Sequence, residues 1–149
     1  MRALVAGILT VVALGAAGCA SMDGGGGAMM TQKPLYDRLG GRPAIQAVVD
    51  DFIGNVAADH RINARFATAD IPRLKRLLVE QICEASGGPC KYTGATMLDS
   101  HRGMKITDAE FSALVEDLVK SLDKFKVPAP EKTELLGALG GMKPQIVGQ

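Results

Sequence analysis

From residue 45 onward the apolar positions fall into helical stripes. Ile45, Val48, Val49, Phe52, Ile53 and Val56 recur at intervals of three and four, one face of a helix that runs to about Ala58. Pro43 suits the first turn of that helix, and Gly40-Gly41 ahead of it ends a short helical turn over Pro34 to Leu39. The segment Ile62 to Phe66 is too short for more than a turn, with Phe66 as its large anchor. Asp70 is placed to N-cap a second long helix over Ile71 to Ser86. Its stripe reads Leu74, Leu77, Leu78, Gln81, Ile82 and Ala85, in which Gln81 is the odd residue. Thr96 to Ser100 predicts one or two helical turns, and Gly103 breaks the chain after them.

Thr107-Asp108-Ala109-Glu110 is a capping box. It predicts a helix with Phe111, Leu114, Val115, Leu118, Val119, Leu122 and Phe125 on one face, ended by Pro128. Pro130 opens a last helix, Glu131 to Gln145, with Leu135, Leu136, Leu139 and Met142 inward and a weak point at Gly140-Gly141. No strand pattern occurs. Four long helices with short connections predict an all-α domain.

Length and composition narrow this picture. A chain of 149 residues with 47% apolar content makes one domain with a full core. Seventeen basic residues against 16 acidic ones give a net charge of +1, with no aromatic-interleaved basic run, so no nucleic acid is expected as a partner. Four Phe, two Tyr and no Trp mean that any large flat pocket is lined mostly by Leu, Ile, Val and Met.

The first residues read as an export signal. Met1-Arg2 is basic, Ala3 to Gly18 is apolar and rich in Gly and Ala, and the run is short for a spanning helix. Ala16-Ala17-Gly18-Cys19 is similar to a lipobox, with Ala16 where Leu is commoner. Residues 1–18 are thus expected to be a lipoprotein-type signal peptide, and Cys19 a lipid anchor to a membrane at the periplasmic or extracytoplasmic face. The plainer reading is an ordinary cleaved signal. Residues 19–33, with four consecutive glycines, form a flexible tether, and residues 34–149 form the domain. In an exported chain Cys83 and Cys90 suggest a disulfide; two buried thiols are the competing reading, and a metal site is disfavoured because no further Cys or His lies at ligand spacing.

The candidate chemistry sits in Tyr92 to Thr107, YTGATMLDSHRGMKIT. Taken alone, His101 is either a metal ligand or a hydrogen-bonded core or surface histidine. His60, amid charged residues at a helix end, reads as solvated. The string HRGMKIT resembles the proximal segment of the group I truncated haemoglobins. Further resemblance lies in LYDRLGG, AIQAVVDDF, RLK, GGP and YTG, so it spans roughly Leu35 to Val147.

That resemblance implies a two-over-two helical sandwich holding one haem b, with His101 as the ligand to its iron. It also implies haem contacts from Phe52, Ile53, Phe66, Leu74, Leu77, Leu78, Ile82, Met97, Met104, Ile106, Phe111 and Leu114. The absence of C-x-x-C-H means haem held without thioether links. Many relatives place a tyrosine at the position of Ile53 and polar groups at those of Leu74 or Leu78, where this chain is apolar. The implied function is reversible binding of oxygen, nitric oxide or carbon monoxide in an apolar distal pocket, with an unidentified redox partner. The enzymatic alternative is a nitric oxide dioxygenase or a peroxidase-like haem protein. Gln81 is either a donor at the haem edge or a solvent-facing amide, and Lys75 and Arg76 are either partners of haem propionates or surface charge. Tyr36 and Tyr92 are expected to be structural.

Overall fold

The computed structural model describes residues 32–149, and the expected signal peptide, Cys19 and nearly all of the expected tether lie outside the described residues. The described residues hold α1 (Leu35–Arg38), α2 (Gly41–Ala58), α3 (Ile71–Ala85), α4 (Met97–His101), α5 (Asp108–Lys124) and α6 (Ala129–Gly140). Two 3-10 turns, Asn63–Phe66 and Lys143–Gln145, complete them. Strands are absent among these residues, and one isolated parallel bridge joins Ile106 to Val147.

The centre of the fold is α2, on which α3 and α5 both pack. Gly40 and Gly41 have φ of 93° and 72°, a left-handed reversal that glycine adopts without steric cost, and the helix starts there rather than at Pro43. Its predicted stripe is the one buried: Ile45, Val48, Val49, Phe52, Ile53 and Val56 are each at most 7% exposed. Each such side chain contributes about 1.5–3 kcal/mol by leaving water.

Both partners of α2 turn out to be two-faced. On α3 the most deeply buried residues are Val79, Glu80, Ile82 and Cys83, whereas Leu74, Leu77, Leu78 and Gln81 are half-buried and Ala85 is exposed. The sequence stripe thus traces the flank of α3 beside its core face. The buried residues of α5 are Ala113, Asp117, Leu118, Ser121 and Leu122, of which Leu118 and Leu122 belong to the predicted stripe and Ala113, Asp117 and Ser121 do not. Asn55 of α2 donates to Ser121 Oγ at 2.9 Å and to the Asp117 carbonyl at 3.4 Å. Phe125, expected on the inner face, is exposed.

The helix expected over Glu131–Gln145 forms as two pieces. It begins two residues early, at Ala129, and stops at Gly140 before the 3-10 turn Lys143–Gln145. Pro144 has no N–H to continue the ladder and its ring clashes with a helical carbonyl four residues back, which is that of Gly140. The capping box forms as expected: Thr107 Oγ1 accepts from Glu110 N at 3.2 Å, and the Glu110 carboxylate accepts from Thr107 N at 2.8 Å. Cys83 and Cys90 are joined by a disulfide, which resolves that pair in favour of the bond over two thiols.

Candidate functional site

A short helix presents His101. Thr96 caps α4, its Oγ1 accepting from Asp99 N at 3.1 Å, and Gly103 at φ 78° turns the chain away after the histidine. The His101 ring is half-buried, with Nδ1 2.8 Å from the carbonyl oxygen of Met97 one turn back. A carbonyl only accepts, so Nδ1 carries the hydrogen. The lone pair of the neutral ring is therefore on Nε2. Ser100 Oγ, 3.1 Å from Nδ1, spends its own hydrogen on the carbonyls of Thr96 and Met97 and can only accept from the ring.

The histidine opens on a cavity of about 80 Å³ lined by Ile62, Phe66, Met104, Ile106, Phe111 and Leu114, with Arg65 and Glu110 at its rim. A second cavity of about 100 Å³ shares Phe111, Leu114 and Ile146 with it and adds Phe52, Leu78, Gln81, Ile82 and Met97. A third, about 290 Å³ and open, shares Gln81, Met97 and Met142 with the second and includes Tyr92 and Thr96. The first two make one apolar cleft between the flank of α3, the segment around α4, and α5, and the third, with Glu84, Tyr92, Thr96 and Gln145, is its polar mouth.

The residues singled out from the sequence divide accordingly. His101, Phe66, Met104, Ile106, Phe111 and Leu114 meet in the first cavity, and Phe52, Leu78, Ile82 and Met97 join Phe111 and Leu114 in the second. Ile53 opens instead onto a separate groove of about 640 Å³ that it shares with Phe66, Ile71 and Lys75. Leu74 is half-buried against the hydrophobic core, and Leu77 is half-buried; neither lines the cleft. Val115, Leu118, Leu139, Met142 and Ile146 line it without having been singled out. Each was visible as a core position or loop residue, and nothing in the periodicity distinguishes core from cleft.

Polar ties fix the cleft walls to each other. The buried Glu80 accepts from Thr93 Oγ1 at 2.7 Å and Thr93 N at 3.1 Å, and Arg76 reaches it at 2.7 Å. The Thr93 hydroxyl above all, with Arg76, holds the Glu80 carboxyl below its ordinary range. One turn along, Glu84 accepts from Tyr92 N at 3.2 Å, and the disulfide lies between. Arg76 is thus committed to Glu80, and Lys75 pairs with Asp50 at 2.9 Å. At the rim Arg65 bonds Glu110 at 2.7 Å and the Met104 carbonyl at 2.9 Å. The Arg65 bond first, then the Thr107 N–H and hydroxyl, pull Glu110 down to about 2. Tyr36 is structural, its hydroxyl accepting from Arg42 N at 3.0 Å, whereas Tyr92 stands at the cleft mouth, where burial raises its pKa. His60 is exposed.

Helix order, a histidine on a short helix and an apolar cleft beside it define a globin-type architecture. Residues 34–147 match the bacterial-like globin family. A group 1 truncated haemoglobin of Mycolicibacterium paratuberculosis is 38% identical over 112 residues, 75% of this chain and 82% of that protein. One from a Nostoc species is 30% identical over 115 residues, 77% of this chain and 98% of its own length. Among solved structures, the Fe(III) truncated haemoglobin of Tetrahymena pyriformis superposes with a TM-score of 0.76 at 26% identity, covering 78% of this chain and all of that one. The 2/2 haemoglobin of Synechococcus, solved in a cyanomet state with covalently attached haem, gives a TM-score of 0.68 at 31% identity, covering 72% and 90%. The chain belongs to the bacterial-like globin family, alongside the group 1 truncated haemoglobins, and its fold is their two-over-two helical sandwich.

Proposed function

We propose that His101 would hold one haem b in the cleft and that the haem-loaded protein reversibly binds a diatomic gas. The observation that carries this is the His101 tautomer: the Met97 carbonyl takes the Nδ1 hydrogen, leaving Nε2 as a lone-pair donor beside an apolar cleft. Such a backbone bond orients a metal-ligating imidazole and raises its basicity. The lining fits a macrocycle, with Phe66, Phe111, Leu114, Met104 and Ile106 around the histidine, and polar groups confined to the rim. When bound, haem supplies an iron with one protein ligand and a position for a gas.

The surrounding residues favour binding over turnover. Glu110 and Arg65, the ionisable side chains at the histidine's cavity besides His101, are bonded to each other, and the second cavity has no ionisable side chain. Leu78, the one of Ile53, Leu74 and Leu78 that lines the cleft, offers no hydrogen bond to a ligand, so carbon monoxide and nitric oxide, which depend on one less than oxygen does, are held well. The Cys83–Cys90 bond suits an oxidising compartment and supports the reading of residues 1–19 as an export signal and lipid anchor.

Haem titration of the purified protein tests the central reading. One equivalent is expected to give a Soret band, which His101→Gly weakens and added imidazole restores. A wild-type protein without a Soret band, or a His101→Gly spectrum identical to wild type, would overturn it. Membrane fractionation of wild type and Cys19→Ala tests the anchor, with release of the variant expected.

A further inference from the structure

Of the three methionines among the described residues, Met97, Met104 and Met142, two meet from distant parts of the chain. Met97 opens α4 and Met142 follows α6. Both accept from the side-chain nitrogen of Gln81, at 3.1 Å to Met97 Sδ and 3.4 Å to Met142 Sδ. One amide nitrogen carries two hydrogens, so each sulfur turns a lone pair toward the same small volume. A thioether accepts a hydrogen bond weakly, and the amide is poorly satisfied between the two. To a soft cation, the same converging lone pairs are ligands.

That volume is reachable from outside. Gln81, Met97 and Met142 line both the second cavity and the third, which is open and about 290 Å³. The surrounding chemistry selects among cations. The one carboxylate at the mouth, Glu84, is engaged by Lys91 at 3.4 Å and by Tyr92 N at 3.2 Å, and its other polar side chains are neutral. Calcium and magnesium call for a shell of oxygen ligands, and zinc for thiolate, imidazole or carboxylate. Two neutral thioethers suit copper(I), a soft monovalent ion. The disulfide points the same way. Cys83 and Cys90 are closed on each other, whereas thioethers do not pair and keep their lone pairs in an oxidising compartment.

From this arrangement we infer that Met97 and Met142 form a two-sulfur site for copper(I) at the mouth of the cleft. The ion takes the place now held by the Gln81 N–H groups, and the amide swings into the open cavity, where water satisfies it. Both methionines are unbranched and adjust their rotamers at small cost to close on the ion. Binding leaves the oxidation state of the copper unchanged and uses neither His101 nor the haem reading.

The test uses the full chain as purified, in a Cys19→Ala background that removes the one cysteine outside the disulfide. Anaerobic titration against the coloured copper(I) complex of bicinchoninate, with ascorbate present, measures uptake. The parent chain is expected to withdraw one equivalent of copper. Met97→Leu and Met142→Leu, which keep an apolar side chain of similar size, should each weaken uptake at least about tenfold, as loss of one of two ligands requires. Met104→Leu should bind as the parent does, because that sulfur lines the histidine's cavity and not the mouth. Circular dichroism of each variant checks that the helices persist. X-ray absorption at the copper edge is expected to show sulfur neighbours. A parent chain that leaves all copper with bicinchoninate, or a Met97→Leu/Met142→Leu chain that withdraws as much as the parent, would overturn the inference. So would a copper edge with nitrogen or oxygen neighbours alone. Haem uptake is tested separately by the His101→Gly titration, so either reading can fail without the other.

Discussion

Reduction of the Cys83–Cys90 bond gives the sharpest energetic forecast. The bond closes a loop of only seven positions, across Ser86-Gly87-Gly88-Pro89. In the chain-entropy picture, freeing so short a loop in the unfolded state costs the folded one about 2.5 kcal/mol. At roughly 2.1 cal/mol/K of unfolding entropy per residue over residues 32–149, that lowers Tm by about 10 °C. The same wall has ties that reduction does not touch: Thr93 on Glu80 and Tyr92 on Glu84. The segment leading to His101 should therefore stay in place below the transition. Circular dichroism melts with and without a phosphine reductant, repeated on Cys83→Ala/Cys90→Ala, measure the shift, and a haem spectrum at 25 °C measures the site. A Tm change under about 3 °C would refute the entropic argument. Loss of the Soret band at 25 °C would refute the claim that the glutamate ties alone hold the segment.

Other residues give independent checks. Glu110, brought from an ordinary 4.5 to about 2 by Arg65 and Thr107, supplies stability that is fully present above pH 4.5 and lost as pH falls from there toward 2. Urea midpoints between pH 6 and 2 should accordingly fall less steeply in Glu110→Gln than in wild type. Glu80→Gln removes a charged acceptor shared by Thr93 and Arg76 and is expected to cost about 1–2 kcal/mol in urea unfolding. Gly88→Ala places a methyl 2.5 Å from Tyr36, 2.7 Å from Cys83 Sγ and 2.8 Å from the Cys83 carbonyl, groups held by the disulfide and the helix end. A loss of about 1–3 kcal/mol is expected in the same assay, whereas Gly54→Ala, whose Cβ meets nothing within 4 Å, should not destabilise.

The sequence pattern is read most reliably where one face of a helix meets one environment. On α2 the stripe and the buried set coincide, because that helix is enclosed by both neighbours. On α3 and α5 a core face adjoins a cleft face, and apolar spacing records their union. Val79 and Cys83 are buried in the core while Leu78 faces the cleft, and the three are alike in hydropathy. Ser121 escapes notice for the opposite reason: it is a polar residue buried where α2 brings Asn55 and Asp51 to its hydroxyl, partners far away in the chain. His101 stands out through the motif around it, and the hydrogen bond that sets its tautomer lies within its own helix. The burial of Gln81 among sulfurs depends on Met142, from the other end of the domain, and only the folded chain shows it.

The bridge between Ile106 and Val147 has a practical side. Gly148 N donates to the Ile106 carbonyl at 2.9 Å and Lys105 N donates to the Gln149 carbonyl at 2.5 Å, while the side chain of Ile146 forms part of the floor beneath the histidine. Residues 146–149 thus act as a buckle on the loop that follows the imidazole. Cleavage that frees this buckle would alter the colour of the haem-loaded protein before it altered the helix content. Absorbance, more than circular dichroism, is therefore the quality check to run on any preparation exposed to proteolysis.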